Sequence, residues 1–216
     1  MTKTQTLPEK SGNKQRISRR STPVAMGLAL IGALTLSSCG SSPGGSSPEA
    51  VSTKALQAVE SGDWETYGSC LLEHRKNKLI AKVIGFAAMS SMADEEKGDR
   101  LEALLKSHNA TDPDSVEGDE KPKGFAEAAD FIVSKVSNSN ALLNDLIKFS
   151  YEVSDADKVE KAYTFTLPRK GGELADIKTD GDKATALVKY EKGGNLRAVL
   201  KKENSVWFIE FFERAP

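Results

Sequence analysis

The spacing of hydrophobic residues changes once along this chain, and the change limits the folds that the chain can adopt. Apolar side chains recur at helical spacing up to residue 151 and alternate with polar ones after residue 160. The alternation is clearest over Lys183–Glu191, which follows the hairpin signal Asp180-Gly181. We therefore predict an α+β domain, with several N-terminal helices packed on a C-terminal antiparallel sheet of about four strands.

Local signals place some of the element boundaries. Ser47 is predicted to cap the first helix, Gly62 to end it, and Asp63 to cap the second helix. A β-prone stretch predicts a further strand over residues 162–167. The last strand, Val206–Phe212, is apolar on both faces, so we expect it at the centre of the sheet.

The N-terminal segment has the three parts of an export signal. A basic stretch ends at Arg19-Arg20, and the apolar run Pro23–Leu36 follows it. This run is shorter than the ~20 residues that a membrane-spanning helix needs. It is followed by Leu36-Ser37-Ser38-Cys39, which resembles the lipobox of bacterial lipoproteins.

The lipobox resemblance implies a processing route and a cellular location. In that family the cysteine thiol is joined to diacylglycerol, the chain is cut just before the cysteine, and the new N-terminus can be acylated with a fatty acid such as palmitate. Residues 1–38 would then be a removed signal peptide, and Cys39 the lipidation site that holds the exported protein on a lipid bilayer. Gly40 is not the aspartate of an inner-membrane retention signal, so we expect the outer membrane, facing the periplasm, if the cell is Gram-negative.

The mature chain is predicted to be one domain on a tether. Residues 39–47 are rich in Gly, Ser and Pro and form a predicted flexible tether. Residues 48–216 form the single α+β domain, helical over 48–151 and mainly strands over 160–213. The part after the signal has 24 basic and 30 acidic side chains, a net charge of −6, which argues against a nucleic-acid partner.

Two stretches resemble the nuclear transport factor 2-like superfamily, in particular its uncharacterised lipoproteins. Ser47–Leu71 resembles the opening helices of that superfamily, and Asp180–Phe212 resembles its closing strands. The resemblance implies a cone-like domain. The helical region between Lys76 and Tyr151 is longer than such a domain needs, which indicates either a helical insertion or a different α+β arrangement.

Few residues carry recognisable chemistry. His74 and His108 are 34 positions apart without a Cys or His neighbour, so they predict no metal site, and we expect no cofactor. No catalytic motif is present, and Cys70 is interpreted as a buried structural thiol. Aromatic residues of the second helix and the strands either line a pocket between sheet and helices or simply form the core: Trp64, Tyr67, Phe165, Trp207 and Phe211.

Three functions remain compatible with the sequence. The first is a non-enzymatic, membrane-anchored envelope lipoprotein that binds a small apolar ligand or a partner protein of the envelope. The second is a hydrolase or isomerase of the same superfamily, whose acid–base group is not located. The third is a structural or assembly-factor lipoprotein that acts through its helical face.

The predicted processing and membrane attachment can be tested by substituting Cys39. We expect Cys39→Ser to accumulate as an uncleaved, unlipidated precursor, because a hydroxyl does not replace the thiol that accepts the lipid. Membrane fractionation and the mass of the N-terminal peptide report the outcome. Normal processing and normal membrane association of this variant would refute the prediction.

Overall fold

The computed structural model describes residues 42–92, 94–110, 125–163 and 167–215. The chain divides into two units, Met1–Ser38 and Cys39–Pro216, and every described residue belongs to the second. The predicted signal peptide, Cys39, Gly40 and the predicted pocket residue Phe165 lie outside the described residues.

Seven helices precede the sheet in the described parts of the chain. They are α1 (Pro48–Ser61), α2 (Trp64–Ser69), α3 (Glu73–Ser91), α4 (Glu95–Ser107), α5 (Phe125–Val133), α6 (Ser139–Val153) and α7 (Ala156–Tyr163).

The capping residues of the first two helices confirm the sequence prediction. The Ser47 side chain accepts a hydrogen bond from the backbone N–H of Ala50 at 3.0 Å. Gly62 ends α1 in the left-handed conformation, with φ of 72°. The Asp63 carboxylate then accepts the backbone N–H of Thr66 at 2.9 Å, which caps α2.

The strand predicted over residues 162–167 is wrong at its three described positions, since Ala162 and Tyr163 are helical and Leu167 precedes the first strand. Ala162 and Tyr163 form the end of α7, and residues 164–166 lie outside the described part. Val159 and Tyr163, four residues apart, lie on one helical face and are 0% and 2% exposed. Since burying that face requires helical geometry, packing outweighs the β propensity of the local sequence.

The sheet is antiparallel and confirms the predicted fold class. Its strands are β1 (Glu173–Asp180), β2 (Lys183–Lys189), β3 (Leu196–Glu203) and β4 (Val206–Arg214), in the spatial order β1-β2-β3-β4. The sheet is open, with β1 and β4 at its edges and each strand joined to the next by a hairpin. Helices N-terminal to an antiparallel sheet make this an α+β protein.

The central position predicted for β4 is wrong, because β4 is an edge strand. Its outer edge is nevertheless covered by two other segments. Gly45 and Trp207 exchange backbone hydrogen bonds of 2.9 and 2.8 Å. Further along, the N–H of Ile209 donates to Cys70 O at 2.8 Å, and the N–H of Leu72 donates to Ile209 O at 3.0 Å. This cover lets an apolar strand lie at an edge without exposing those backbone groups.

The core fills the space between the helices and one face of the sheet. Helix α1 contacts β1, β2 and β4, while α6 packs on α2 and α3. Alternate residues of the strands point towards α1 and are buried, as the burial pattern of β2 shows. The fully buried side chains with the largest volumes include Tyr67, Ile80, Leu142, Leu143, Leu146, Ile147, Leu200 and Ile209.

The described part of the predicted tether differs from a free linker. Gly44 is buried, and its N–H donates to Ser69 O at 2.7 Å. A Cβ on Gly44 would lie 2.4 Å from Val206 Cγ1 and 2.5 Å from Trp207 O, and φ is +65°. Only glycine fits this position, so Gly44 and Gly45 form a docked segment against β4.

Within the described residues, no helix combines the length and the apolar character that crossing a bilayer requires.

Candidate functional site

A small aromatic cavity lies where α1 ends and α2 begins. We call it the aromatic pocket, and its volume is about 260 Å³. Its walls come from the ends of four helices and from the segment before β1. The lining residues are Val59, Gly62, Trp64, Tyr151, Tyr163, Leu167, Pro168, Arg169 and Lys170.

The inner wall of the aromatic pocket is rigidly packed. Trp64 is 7% exposed, and its ring meets that of Tyr67 edge-on at a centroid distance of 5.9 Å. Tyr163 packs against Phe86 at 5.4 Å, also edge-on. The two hydroxyl oxygens of Tyr163 and Ser150 lie 3.4 Å apart, which gives the buried phenol a polar partner. Burial raises the pKa of Tyr163 to about 12, so the phenol is neutral at physiological pH.

The outer rim of the pocket is held by contacts with α1 and with the segment between β2 and β3. The Arg169 guanidinium lies 4.5 Å from the centroid of the Tyr190 ring and donates to the carbonyl oxygens of Gly193 and Gly194 at 3.1 and 2.9 Å. The Glu60 carboxylate accepts the N–H of Gly171 at 2.9 Å. These contacts fix the segment that carries Leu167 and Pro168, while Lys170 is exposed at the rim. The described part of the rim, Leu167–Gly171, is therefore fixed to the body by these contacts.

The structure does not bring the predicted lining residues together around one cavity. Trp64 lines the aromatic pocket, and Tyr67 is fully buried behind it. Trp207 lies beside the docked segment, with Lys202 Nζ 5.9 Å from its ring centroid. Phe211 is 36% exposed, with the Arg75 guanidinium 5.4 Å from its ring centroid. Phe165 lies outside the described residues.

Sequence reasoning missed the tyrosines of the pocket. Tyr151 lies at the end of α6 and Tyr163 at the end of α7, and both meet Trp64 only after the helices pack. Tyr163 was assigned by its local sequence to a strand, so no helical pattern pointed to it. The helical spacing of Val159 and Tyr163 is the signal that could have revealed the correct face.

A second concave surface lies between the end of α3 and α4. It is an open groove of about 840 Å³, lined by residues that include Ala88, Met92, Leu101 and Leu105. Met92 is 84% exposed, and Met89, on the same end of α3, is 75% exposed. Exposed methionines provide a flexible apolar surface that adapts to differently shaped partners.

His108 and Asp145 form a pair that their separation in the sequence did not predict. His108 caps the C-terminus of α4, and its Nε2 lies 2.9 Å from Asp145 Oδ2 on α6. Asp145 Oδ1 also accepts from the Asn144 amide at 3.0 Å. Asp145 precedes Tyr151 by six positions on α6, which turns it to another face of that helix. The pair joins two helices and is separate from the aromatic pocket. His74 is exposed.

No cluster of three His, Cys, Asp or Glu side chains suited to a metal ion occurs among the described residues.

Comparison with protein-family models, with curated proteins and with solved structures gave no match. The lipoprotein and superfamily resemblances therefore stay predictions.

Cys70 is held in the core by both its backbone and its side chain. Its side chain is 0% exposed, its Sγ lies 3.4 Å from Thr66 O, and its carbonyl oxygen accepts from β4. Burial raises the pKa of the thiol to about 11. Since the thiolate is the reactive form, the raised pKa keeps the Cys70 thiol protonated and unreactive at pH 8.

We expect Cys70 to resist alkylation in the folded protein. The test uses the chain with Cys39→Ser and Lys192→Cys, in which position 192 supplies an exposed reference thiol. Iodoacetamide at pH 8 should add one group quickly at position 192, and a second group only after denaturation, as read by intact mass. Equal labelling rates at the two thiols in the native protein would contradict the structural role.

Proposed function

We propose that this chain is an exported lipoprotein, held on an envelope membrane by acylated Cys39, whose body is a non-enzymatic binding module for a small apolar ligand. The proposed anchor rests on Leu36-Ser37-Ser38-Cys39 and on the export-type segment before it. Two or more acyl chains would hold the protein firmly, because each buried CH₂ contributes ~0.8 kcal/mol. The observation that carries the proposed binding role is the aromatic pocket.

The size of the pocket limits the ligand. Cavities that take drug-sized ligands measure ~300–1,000 Å³, whereas a cavity of ~150 Å³ holds benzene. At about 260 Å³, the aromatic pocket suits one or two fused rings, or the end of an alkyl chain. A whole phospholipid would not fit. The favoured ligand is therefore a ring-sized apolar molecule or group.

The lining chemistry supports binding rather than catalysis. Val59, Trp64 and Leu167 present apolar surface, and Tyr163 offers a neutral hydroxyl already close to Ser150. The described lining residues include no carboxylate and no imidazole, the usual groups for proton transfer. Two basic residues, Arg169 and Lys170, stand at the rim, and the guanidinium of Arg169 is committed to Gly193 and Gly194.

The expected affinity follows from the buried area. A ring of the size of toluene buries an apolar area of about 200 Å², which is worth ~5 kcal/mol at ~25 cal/mol per Å². That free energy corresponds to a dissociation constant of ~0.2 mM before the entropic cost of association is subtracted. Ligand titrations must therefore reach millimolar concentrations.

We expect toluene to bind beside Trp64. The chain has two tryptophans, so Trp207→Phe leaves Trp64 as the sole indole fluorophore. Toluene titrated into this variant should shift the Trp64 emission saturably, because the ring would lie against the indole. Val59→Phe, which fills the pocket from α1, should weaken binding at least tenfold if the variant keeps its fold by circular dichroism.

The matched control is Trp64→Phe. Trp207 then reports from the docked segment near the N-terminus of α1, whereas the pocket lies at the C-terminus of α1, so its emission should not respond to toluene. A response in Trp64→Phe but none in Trp207→Phe, or a response in neither, would refute binding in the aromatic pocket.

A structural or assembly-factor role is the second candidate, favoured by the exposed Met89 in the last turn of α3 and the exposed Met92 that directly follows this helix. An exposed apolar patch on this helix is the feature that such a role needs. We expect a photo-crosslinking amino acid in place of Met92 to capture one defined envelope protein in cells. The same amino acid in place of Lys192, an exposed residue between β2 and β3, is the control. Identical crosslinked products at both positions would argue against a partner site on α3.

A further inference from the structure

The docked segment leaves very little chain between the body and the proposed lipid. Lys54 Nζ donates to the carbonyl oxygen of Ser42 at 2.6 Å and to that of Gly44 at 3.4 Å. Gly44 and Gly45 are bound in turn to Ser69 and Trp207. From Cys39 to Ser42 there are three residues, which span about 11 Å at most. A lipid on Cys39 would therefore be attached within about 11 Å of Ser42.

The contacts of the docked segment are specific to glycine. A Cβ on Gly45 would lie 2.6 Å from Val51 N, and one on Gly44 would lie 2.4 Å from Val206 Cγ1. These two glycines are therefore required by the close approach of α1 and β4, beyond the flexibility that a Gly/Ser tether needs. The docked segment is part of the body.

The docked segment lies at one end of the molecule. It contacts the first residues of β4, and α1 begins directly after it. The two outer hairpin turns of the sheet lie at this same end, since the N–H of Lys202 donates to Asp182 O at 2.8 Å. We call this the hairpin end; it consists of residues 180–183 and 202–206 with the docked segment.

The aromatic pocket lies at the opposite end. Gly45 packs against α1 at Val51, and the helix runs a further 11 residues, about 17 Å, to Gly62, which lines the pocket. Strand β3 gives a second, independent measure. It has eight residues, about 27 Å, and runs from the loop that holds Arg169 to the hairpin end.

We propose that the docked segment orients the body on the membrane, with the hairpin end against the lipid headgroups and the aromatic pocket facing away from them. This inference rests on the proposed lipidation of Cys39. A ligand would then reach the pocket from the aqueous side of the membrane rather than directly from the bilayer.

This orientation follows from the short chain between Cys39 and Ser42 rather than from the charge of the hairpin end. The hairpin end mixes Lys183 and Lys202 with Asp180, Asp182 and Glu203. Such a mixed surface gives only weak attraction to anionic lipids. The orientation should therefore change little between neutral and anionic vesicles.

The test measures the height of two matched positions above the membrane. Asp182 and Lys192 are both exposed and flank the same strand, β2, at its two ends. A fluorescent amino acid is placed at one or the other in the full chain, which is processed in cells, purified with its lipid and reconstituted in phosphatidylcholine vesicles. Energy transfer to a headgroup-labelled lipid acceptor is expected to be several-fold more efficient from position 182 than from position 192.

Two variants separate the docked segment from the anchor. Gly44→Ala should undock the segment and largely remove the difference between the two positions, with Ser46→Ala, at an exposed position, as control. If Gly44→Ala does not fold, ten Gly/Ser residues inserted between Gly40 and Ser41 serve instead. This insertion leaves the docked contacts intact and lengthens the free chain by a root-mean-square distance of about 17 Å, so it should abolish the difference.

The outcomes distinguish the anchor from the orientation. Failure of the unaltered protein to float with vesicles refutes the lipid anchor. A protein that floats but shows equal transfer from the two positions, or more from position 192, overturns the orientation while the anchor stands. Equal behaviour with and without the insertion would also overturn it, because the short reach would then not be the cause.

Discussion

The structure depends on the cover over the outer edge of β4. This strand is apolar on both faces, and at a sheet edge its unpaired N–H and C=O groups would favour pairing with another chain. Gly45 occupies the edge at Trp207, and the turn from Cys70 to Leu72 occupies it at Ile209. The covering segments belong to the start of the described chain and to the connection between α2 and α3. The outer edge of the last strand is thus covered by residues of the N-terminal half of the chain.

Three further features of the structure follow from this cover over β4. It requires glycine at Gly44 and Gly45, since no side chain fits between α1 and β4. It places the Cys70 carbonyl against β4 and leaves the thiol in the core, where burial raises its pKa. It also holds Gly44 and Gly45 beside the first residues of β4. A segment whose composition is that of a linker is therefore packed into the body.

Local chemistry was sufficient to predict the caps and the hairpins. Ser47 and Asp63 act on backbone groups only three residues ahead, and Gly62 ends α1 through its own φ. The positions of Tyr163 and β4 could not be read in this way. Tyr163 is helical because it lies on a face of α7 that is buried, with its hydroxyl beside Ser150 of α6. The edge position of β4 is tolerated because Gly45 and Leu72, which are distant in the sequence, bond to its backbone. The pocket illustrates the same limit, since Trp64 was anticipated, whereas Tyr151 and Tyr163 reach it from other helices.

The sequence alone determined that helices precede an antiparallel sheet, together with the caps of the first two helices and the hairpin turns, because these follow from hydrophobic period and from hydrogen bonds between near neighbours. It also carries the lipobox-like run on which the proposed address rests. Tertiary structure alone decided that β4 lies at an edge, that Gly44-Gly45 is docked and that a pocket forms between the ends of four helices. Each of these depends on contacts between residues distant in the chain, whose closeness is set by packing and has no local signal.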